Sequence, residues 1–331
     1  MKIRLMVLAF VAFLVVCCNT DNGYKRIEGF AQGGTYHIIY SLPDGGQPDQ
    51  ILSEVEASLQ AIDFSLSGYN RKSILSRVNA GEDVALDSHF IKTFNLSKEV
   101  WALSEGMFDP SAAPLFDIWG FGFEDRESVT QAKTDSILAF VGMDKVQLED
   151  RDGECHLVKS DPRVKLNFNA IAQGYTCDAV AEVLDAFGCE NYLVEIGREI
   201  VCKGHNARGE LWTIGLDKPV DGNMDEGENL QEILKVTDCG IVTSGNYRKF
   251  YVVDGEKFAH TINPKTGRPV THNLLSATVT AGSGALADAF ATWFMVVGPD
   301  KARELSETIE GVRSYLVFGD NDNMDVWRNL E

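Results

Sequence analysis

From residue 190 onward the apolar segments follow one another as short strands, near 191–203, 211–217, 231–236, 239–243, 249–253 and 274–281, with no helical segment among them. Parallel neighbours need a crossover of a dozen or more residues, usually a helix, so a run of this kind favours antiparallel pairing. Only then come two helices, 284–297 and 299–310, and a last strand near 312–318. The first half mixes its elements in the same way. "GGTYHIIYSL" alternates like a strand, and helices are predicted over 48–64, with Ile51, Val55, Leu59 and Ile62 on one face, and over 88–105. A short helix near 130–141, strands at 144–149, 154–159 and 163–168, and a helix over 170–187 follow. Runs of strands without strict helix alternation define an α+β fold rather than a doubly wound sheet. No Pro/Ser-rich linker divides the chain, so one large domain of mixed sheet with packed helices is expected.

The N-terminus has another character. "MKIRLMVLAFVAFLVVCCNT" carries Lys2 and Arg4, an apolar run from Leu5 to Val16 and then two cysteines. The run is short for a membrane span, and the order of basic, apolar and cysteine residues is that of a bacterial lipoprotein signal. Residues 1–17 are expected to be the signal, with lipid on Cys18 because small Cys17 precedes it. Residues 18–30 are expected to form a polar tether and 31–331 the folded domain. The body would then sit in the cell envelope, facing the periplasm. Loss of Lys2 and Arg4 with the signal takes the formal charge from −19 to −21. Such an acidic body repels nucleic acid and anionic lipid, and a phosphate ligand needs a metal ion or local donors. The body cysteines, 155, 177, 189, 202 and 239, show no CxxC, which argues against a disulfide framework and a zinc site.

Four stretches carry potential chemistry. "ALADAFATWFMVV" (285–297) is almost wholly apolar apart from Asp288 and Thr292. Ser283 suits its N-cap and Gly298-Pro299 its stop. At i and i+4 a carboxylate and a hydroxyl share one face and can reach one oxygen-seeking ion or phosphate. The same pattern also arises from an early-helix Asp favoured by the macrodipole and a Thr bonded to its own turn. "KFAHTINPKTGRPV" sets His260 before the turn dipeptides Asn263-Pro264 and Thr266-Gly267, where it can face a ligand or simply occupy a loop. "GIVTSGNYRKF" runs a strand into Thr243, Ser244, Gly245 and Asn246, which suits phosphate contact or a tight turn, and Arg248 can supply a cation or pair with an acid. "LNFNAIAQGYTCDAV" reads as a strand end and a helix from Ala170 capped by Asn169, without GxGxxG or a Walker lysine. Asp109, before Pro110, can cap a helix that begins there.

In order, "SGYNRKSILSRVN" (67–79), "GMFDPSAAPLFDIWGFG" (106–122), "LNFNAIAQGYTCD" (166–178), "YLVEIG" (192–197), "TSGNYR" (243–248), "AHTINPKTGRPV" (259–270) and "ADAFAT" (287–292) resemble the ApbE-type lipoproteins, the FAD:protein FMN transferases. The resemblance spans about Gly33 to the C-terminus. It implies an ApbE-like, T-fold-related domain whose Asp288 and Thr292, with the main-chain carbonyl of Ala170, hold Mg²⁺ beside the FAD diphosphate. It implies FAD contacts at Tyr69, Met107, Phe108, Asp109, Asn167, Gln173, Ser244, Gly245 and Thr261, and His260 as the base or a donor to the reacting phosphate. The implied reaction moves FMN from FAD to a Thr or Ser hydroxyl of an acceptor redox protein carrying a flavinylation motif, with AMP released. Two alternatives use the same site: a metal-dependent FAD pyrophosphatase, and a lipoprotein that binds FAD without turnover. The chain departs from the family pattern at Asn167, usually Asp; at Gln173, often Lys; at Arg198, where a second Gly is common; and at Gly33, where Met is common.

Overall fold

The computed structural model describes residues 23–121, 129–221, 223, 227, 229–247, 250–253, 256–320 and 323–330. The expected signal, Cys17, Cys18 and Arg248 lie outside the described residues. Strands β1 (Tyr24–Ala31) and β2 (Gly34–Ser41) precede helices α1 (Pro48–Leu66), α2 (Ile74–Asn79), α3 (Ser88–Leu103), α4 (Ala113–Ile118) and α5 (Gln131–Leu138). The hairpin of β3 (Val146–Arg151) and β4 (Glu154–Lys159) leads to α6 (Ala172–Ala186). Then come β5 (Tyr192–Ile196), β6 (Glu199–Lys203), β7 (Trp212–Asp217), β8 (Leu230–Val236), β9 (Cys239–Gly245), β10 (Phe250–Val253), β11 (Glu256–Ala259), β12 (Ile262–Asn263), β13 (Arg268–Pro269) and β14 (Leu274–Ala281). Helices α7 (Gly284–Val297) and α8 (Pro299–Thr308) and strands β15 (Arg313–Gly319) and β16 (Met324–Arg328) follow.

An eight-stranded sheet in the order β1-β2-β5-β6-β9-β14-β15-β16 is the frame, antiparallel at every junction. Period-two alternation buries both of its faces. Val194, Val201 and Val242 point toward the helices, while Leu193, Cys202, Ile241, Tyr315 and Val317 point the other way, under the β7–β8 hairpin. On the helical side α6 lies over β5 and β6, and α7 over β9 and β14. Helix α7 also meets α3, α6 and α8, which is why it is apolar nearly all round.

The two central helices touch through glycine. A Cβ on Gly174 would collide with the Gly284 carbonyl, and a Cβ on Gly284 would lie 2.5 Å from the Gly174 carbonyl. Gly240 on β9 lies under the Ser283–Gly284 backbone and also leaves no room for a side chain.

Four local expectations are corrected. Residues 24–30, read as tether, belong to β1, because Ile27 is buried in the core and the Tyr36 ring lies over its registered partner Gly29. Residues 163–168 are not a strand, since their partners are not a ladder: Asn79 bonds both Leu166 N–H and carbonyl through its side-chain amide, and Asn167 N–H reaches the Pro110 carbonyl. The strand read over 191–203 is a hairpin, turned at Gly197 (φ 63°) and Arg198 (φ 88°), both left-handed as such a two-residue turn requires. Helix α6 starts at Ala172 and not at Ala170. Asn169 does not cap it; its N–H is taken up by Asn167 Oδ1 at 2.8 Å.

The glycine contact has a direct test. On an exposed helix, Gly→Ala raises stability by up to about 1 kcal/mol. Gly174→Ala is expected to lower it by roughly 3 kcal/mol or more, as overpacked core sites do. Gly282→Ala, where an added Cβ meets nothing within 4 Å, should be close to neutral. Urea unfolding midpoints of the two variants decide it, and equal midpoints would remove the contact from the account.

Candidate active site

Helices α6 and α7 exchange carboxylates across the glycine contact. Asp288, one turn into α7, accepts from the Gly174 N–H of α6 at 3.2 Å. Asp178, one turn beyond Gly174 in α6, accepts from the Gly284 and Ala285 N–H groups of α7 at 2.7 and 2.8 Å. Each helix therefore satisfies N-terminal donors of the other, where the macrodipole favours negative charge. Ser283 adds the expected N-cap, accepting from Leu286 N–H.

Burial dominates the electrostatics. Asp288 is 5% exposed and its carboxyl is pushed up to about 7, first by desolvation, against the Gly174 bond that lowers it. Asp178 is pushed up to about 6 by burial, against its two backbone bonds. Glu199, at the start of β6, is a third acid. As a residue it is half-buried, but its Oε2 is sealed from solvent and has no hydrogen-bond partner among the described residues. Burial and then the charge of Asp288 hold its carboxyl well above the usual range.

This acidic seam fits a hard cation. Thr292 lies half-buried one turn beyond Asp288, and Ala170 sits in the turn that enters α6. Among the described residues no three His, Cys, Asp or Glu side chains converge into a metal site. A cation here must draw on a hydroxyl, a main-chain carbonyl and ligand oxygens as well as Asp288, a donor set that suits Mg²⁺.

Most of the remaining predicted residues fall into two groups. Asn167 and the 106–111 loop come together, since Asn167 N–H bonds Pro110. Asp109 does not cap a helix at Pro110, because α4 begins at Ala113. Its Oδ1 instead takes the Ser111 N–H and hydroxyl at 2.8 and 2.6 Å, and its Oδ2 the Trp101 indole at 3.1 Å. Burial raises its carboxyl, opposed by these bonds and by Lys265. Phe108 is 2% exposed, Met107 packs against the core, and Tyr69 is exposed at the turn between α1 and α2. Gln173 lies in the first turn of α6, with its amide against Gly197.

The second group is the far end of β9. Ser244 and Gly245 lie in the strand, paired with Ala277 and Ser276 of β14. The Thr261 hydroxyl donates to Asn246 Oδ1 at 2.7 Å, and Asn246 N–H bonds Leu275, so the segment carrying His260 is fastened to the β9–β14 junction. Two residues later β12 touches α7, the helix that carries Asp288. The Trp119 indole bonds the Gly267 carbonyl at 2.8 Å and closes the other side of this loop. His260 is half-buried, with the Phe121 ring edge-on at 6.4 Å.

Asp178 and Glu199 were not singled out in the sequence as site residues. One signal for Asp178 was present: "GYTCD" and "GALAD" repeat the same G-x-x-x-D spacing at 174–178 and 284–288.

An α+β domain with an oxygen-donor site at a helix seam is the class that fold and site define. Residues 33–316 match the ApbE family, and the chain belongs to that family. The FAD:protein FMN transferase of Haemophilus influenzae is 33% identical over 318 residues, covering 93% of this chain and 90% of the relative. That of Vibrio cholerae is 33% identical over 300 residues, covering 89% and 87%. Among solved structures, the flavin transferase ApbE from Vibrio cholerae has a TM-score of 0.80 at 30% identity, covering 92% of this chain and 96% of that one. The apo form of the Pseudomonas stutzeri flavinyl transferase ApbE has a TM-score of 0.81 at 29% identity, covering 92% and 94%.

Of the four raised carboxyls, Asp178 and Asp288 fix a pH dependence with defined bounds. Each binds a proton more tightly folded than unfolded, so its contribution to stability is present near pH 4 and is lost as pH rises through about 6 for Asp178 and about 7 for Asp288. Without divalent cations, the urea midpoint should fall between pH 4.5 and 7.5. Asp178→Asn should flatten that slope below about pH 6, and Asp288→Asn should flatten it up to about pH 7; slopes unchanged in both variants would contradict the assignment.

Proposed function

We infer that this chain transfers the FMN part of FAD to a Thr or Ser hydroxyl of an acceptor protein, releasing AMP, with Mg²⁺ as its resident cation. What carries the reading is Asp288: a buried carboxylate one turn from a hydroxyl, in a chain that aligns with a named FAD:protein FMN transferase over 93% of its length. The acceptor oxygen attacks the flavin-side phosphorus, a new O–P bond forms, and the bond from that phosphorus to the bridging oxygen breaks. AMP leaves with the bridging oxygen, and FMN remains as a phosphoester.

Asp288, Thr292 and the Ala170 carbonyl would hold the cation. When bound, Mg²⁺ neutralises negative charge that develops on the diphosphate oxygens. The chain's own groups do the rest. The 106–111 loop, Asn167 and Gln173 line the approach to the seam, and the braced Asp109 keeps that loop in shape for the flavin nucleotide. His260 takes the hydroxyl proton from the acceptor on a ring nitrogen. The Thr261–Asn246 bond fixes the backbone that carries it. Anchoring through a lipid on Cys18, at the periplasmic side of the envelope, belongs to the same reading. It rests on the basic residues and short apolar run that precede that cysteine.

The test is to incubate the chain with FAD, Mg²⁺ and a domain bearing a candidate acceptor Thr, following AMP release and acceptor mass. An acceptor gaining the FMN mass only with metal present is expected. Asp288→Ala should abolish metal-dependent turnover, and His260→Ala should keep FAD binding while transfer falls about 100-fold or more. Normal turnover in Asp288→Ala would contradict the cation assignment, and binding lost with rate retained in His260→Ala would make His260 a ligand contact. AMP with free FMN and no adduct would make the chain a pyrophosphatase.

A further inference from the structure

Beneath the helix seam, on the opposite face of the sheet, two thiols stand side by side. Cys202 of β6 and Cys239 of β9 are registered partners in an antiparallel pair, and both belong to the apolar cluster under the β7–β8 hairpin. They are 37 residues apart in sequence, both are free thiols, and Cys202 Sγ donates to the Cys239 carbonyl at 3.8 Å. Directly opposed residues of an antiparallel pair have Cα atoms about 4.5–5.5 Å apart and Cβ atoms about as far. A disulfide accepts Cα separations of about 4.4–6.8 Å and Cβ separations of about 3.5–4.5 Å, so closure asks for about 1 Å of movement or less. The two thiols are not alike: Cys202 is 2% exposed, whereas Cys239 is half-buried.

We propose that Cys202 and Cys239 form a redox-active dithiol that a disulfide-bearing oxidant closes into a cross-strand disulfide. Cys239 is the entry thiol. Its thiolate attacks one sulfur of the oxidant R–S–S–R, forming a mixed disulfide and releasing one R–S⁻. The Cys202 sulfur then attacks Cys239 Sγ, its proton passing to the departing thiolate, and the second R–S⁻ leaves. The chain loses two electrons and two protons, and the oxidant becomes two thiols. The division of labour agrees with the acid–base asymmetry. A thiol–thiol hydrogen bond with Cys202 as donor draws the Cys239 thiol below its ordinary range, and that bond and burial hold Cys202 above it.

The location gives closure a consequence. The neighbouring registered pair, Val201 and Gly240, is the floor under Gly284. Val201 Cγ2 would lie 2.8 Å from a Gly284 Cβ, and Gly240 faces the Ser283–Gly284 backbone. A disulfide one residue away staples β6 to β9 beneath the two helices that exchange Asp178 and Asp288.

Oxidised glutathione applied to the full-length native chain tests this, with non-reducing peptide mapping and thermal unfolding as readouts. Expected are a linked peptide joining residues 202 and 239, no retained glutathione on either, and a melting temperature raised by about 5 °C or more that dithiothreitol reverses. Cys202→Ser should trap one glutathione on Cys239, and Cys239→Ser should leave Cys202 unmodified under native conditions. A stable glutathione adduct on wild-type Cys239 without the linked peptide, or Cys239 left untouched in the Cys202→Ser variant, would overturn the proposal. These readouts need neither FAD nor acceptor, so they stand apart from the transferase assay.

Discussion

Everything in this site depends on two helix backbones meeting at Gly174 and Gly284. At that distance the first-turn N–H groups of each helix lie within reach of a carboxylate one turn along the other. Asp288 answers Gly174, and Asp178 answers Gly284 and Ala285. Any side chain at either glycine would separate the helices, uncover unpaired N–H groups and move Asp288. The apolar belt of α7 then has a double purpose: it fills the space between the sheet, α3 and α8, and it removes water from around a carboxylate whose proton affinity is thereby raised.

By long-range charge alone, an acidic chain with formal charge −19 is ill suited to an anionic dinucleotide. In the proposed reading the resolution is local. Buried carboxylates with raised proton affinity are short of positive charge, and a cation seated among them would present its open positions to phosphate oxygens.

Much of this was legible in the chain itself. The bounds of α7 and its Ser283 cap followed from local chemistry, as did the i, i+4 pairing of Asp288 with Thr292. The run of strands after residue 190 correctly excluded a doubly wound sheet. What escaped was long-range. Asp178 takes its meaning from backbone 106 residues away, and neither helix shows that alone. The segment 163–168 has strand-like residues, yet its partners are the side chain of Asn79 and a loop carbonyl, which no periodicity reveals. Residues 24–30 looked polar enough for a tether because only Ile27 of that stretch enters the core. Asp109 and Thr261 were expected as ligand contacts; that their side chains also brace the 106–111 loop and the segment carrying His260 is a long-range arrangement no local spacing shows.

The central claim is that the α6–α7 seam places Asp288 to seat a cation against the FAD diphosphate. The most direct measurement is anomalous diffraction from crystals grown with FAD and Mn²⁺ in place of Mg²⁺. The account predicts a single strong peak bounded by the Asp288 carboxylate, the Thr292 hydroxyl, the Ala170 carbonyl and phosphate oxygens. A peak away from Asp288, or FAD bound in the seam with the metal elsewhere, would contradict it.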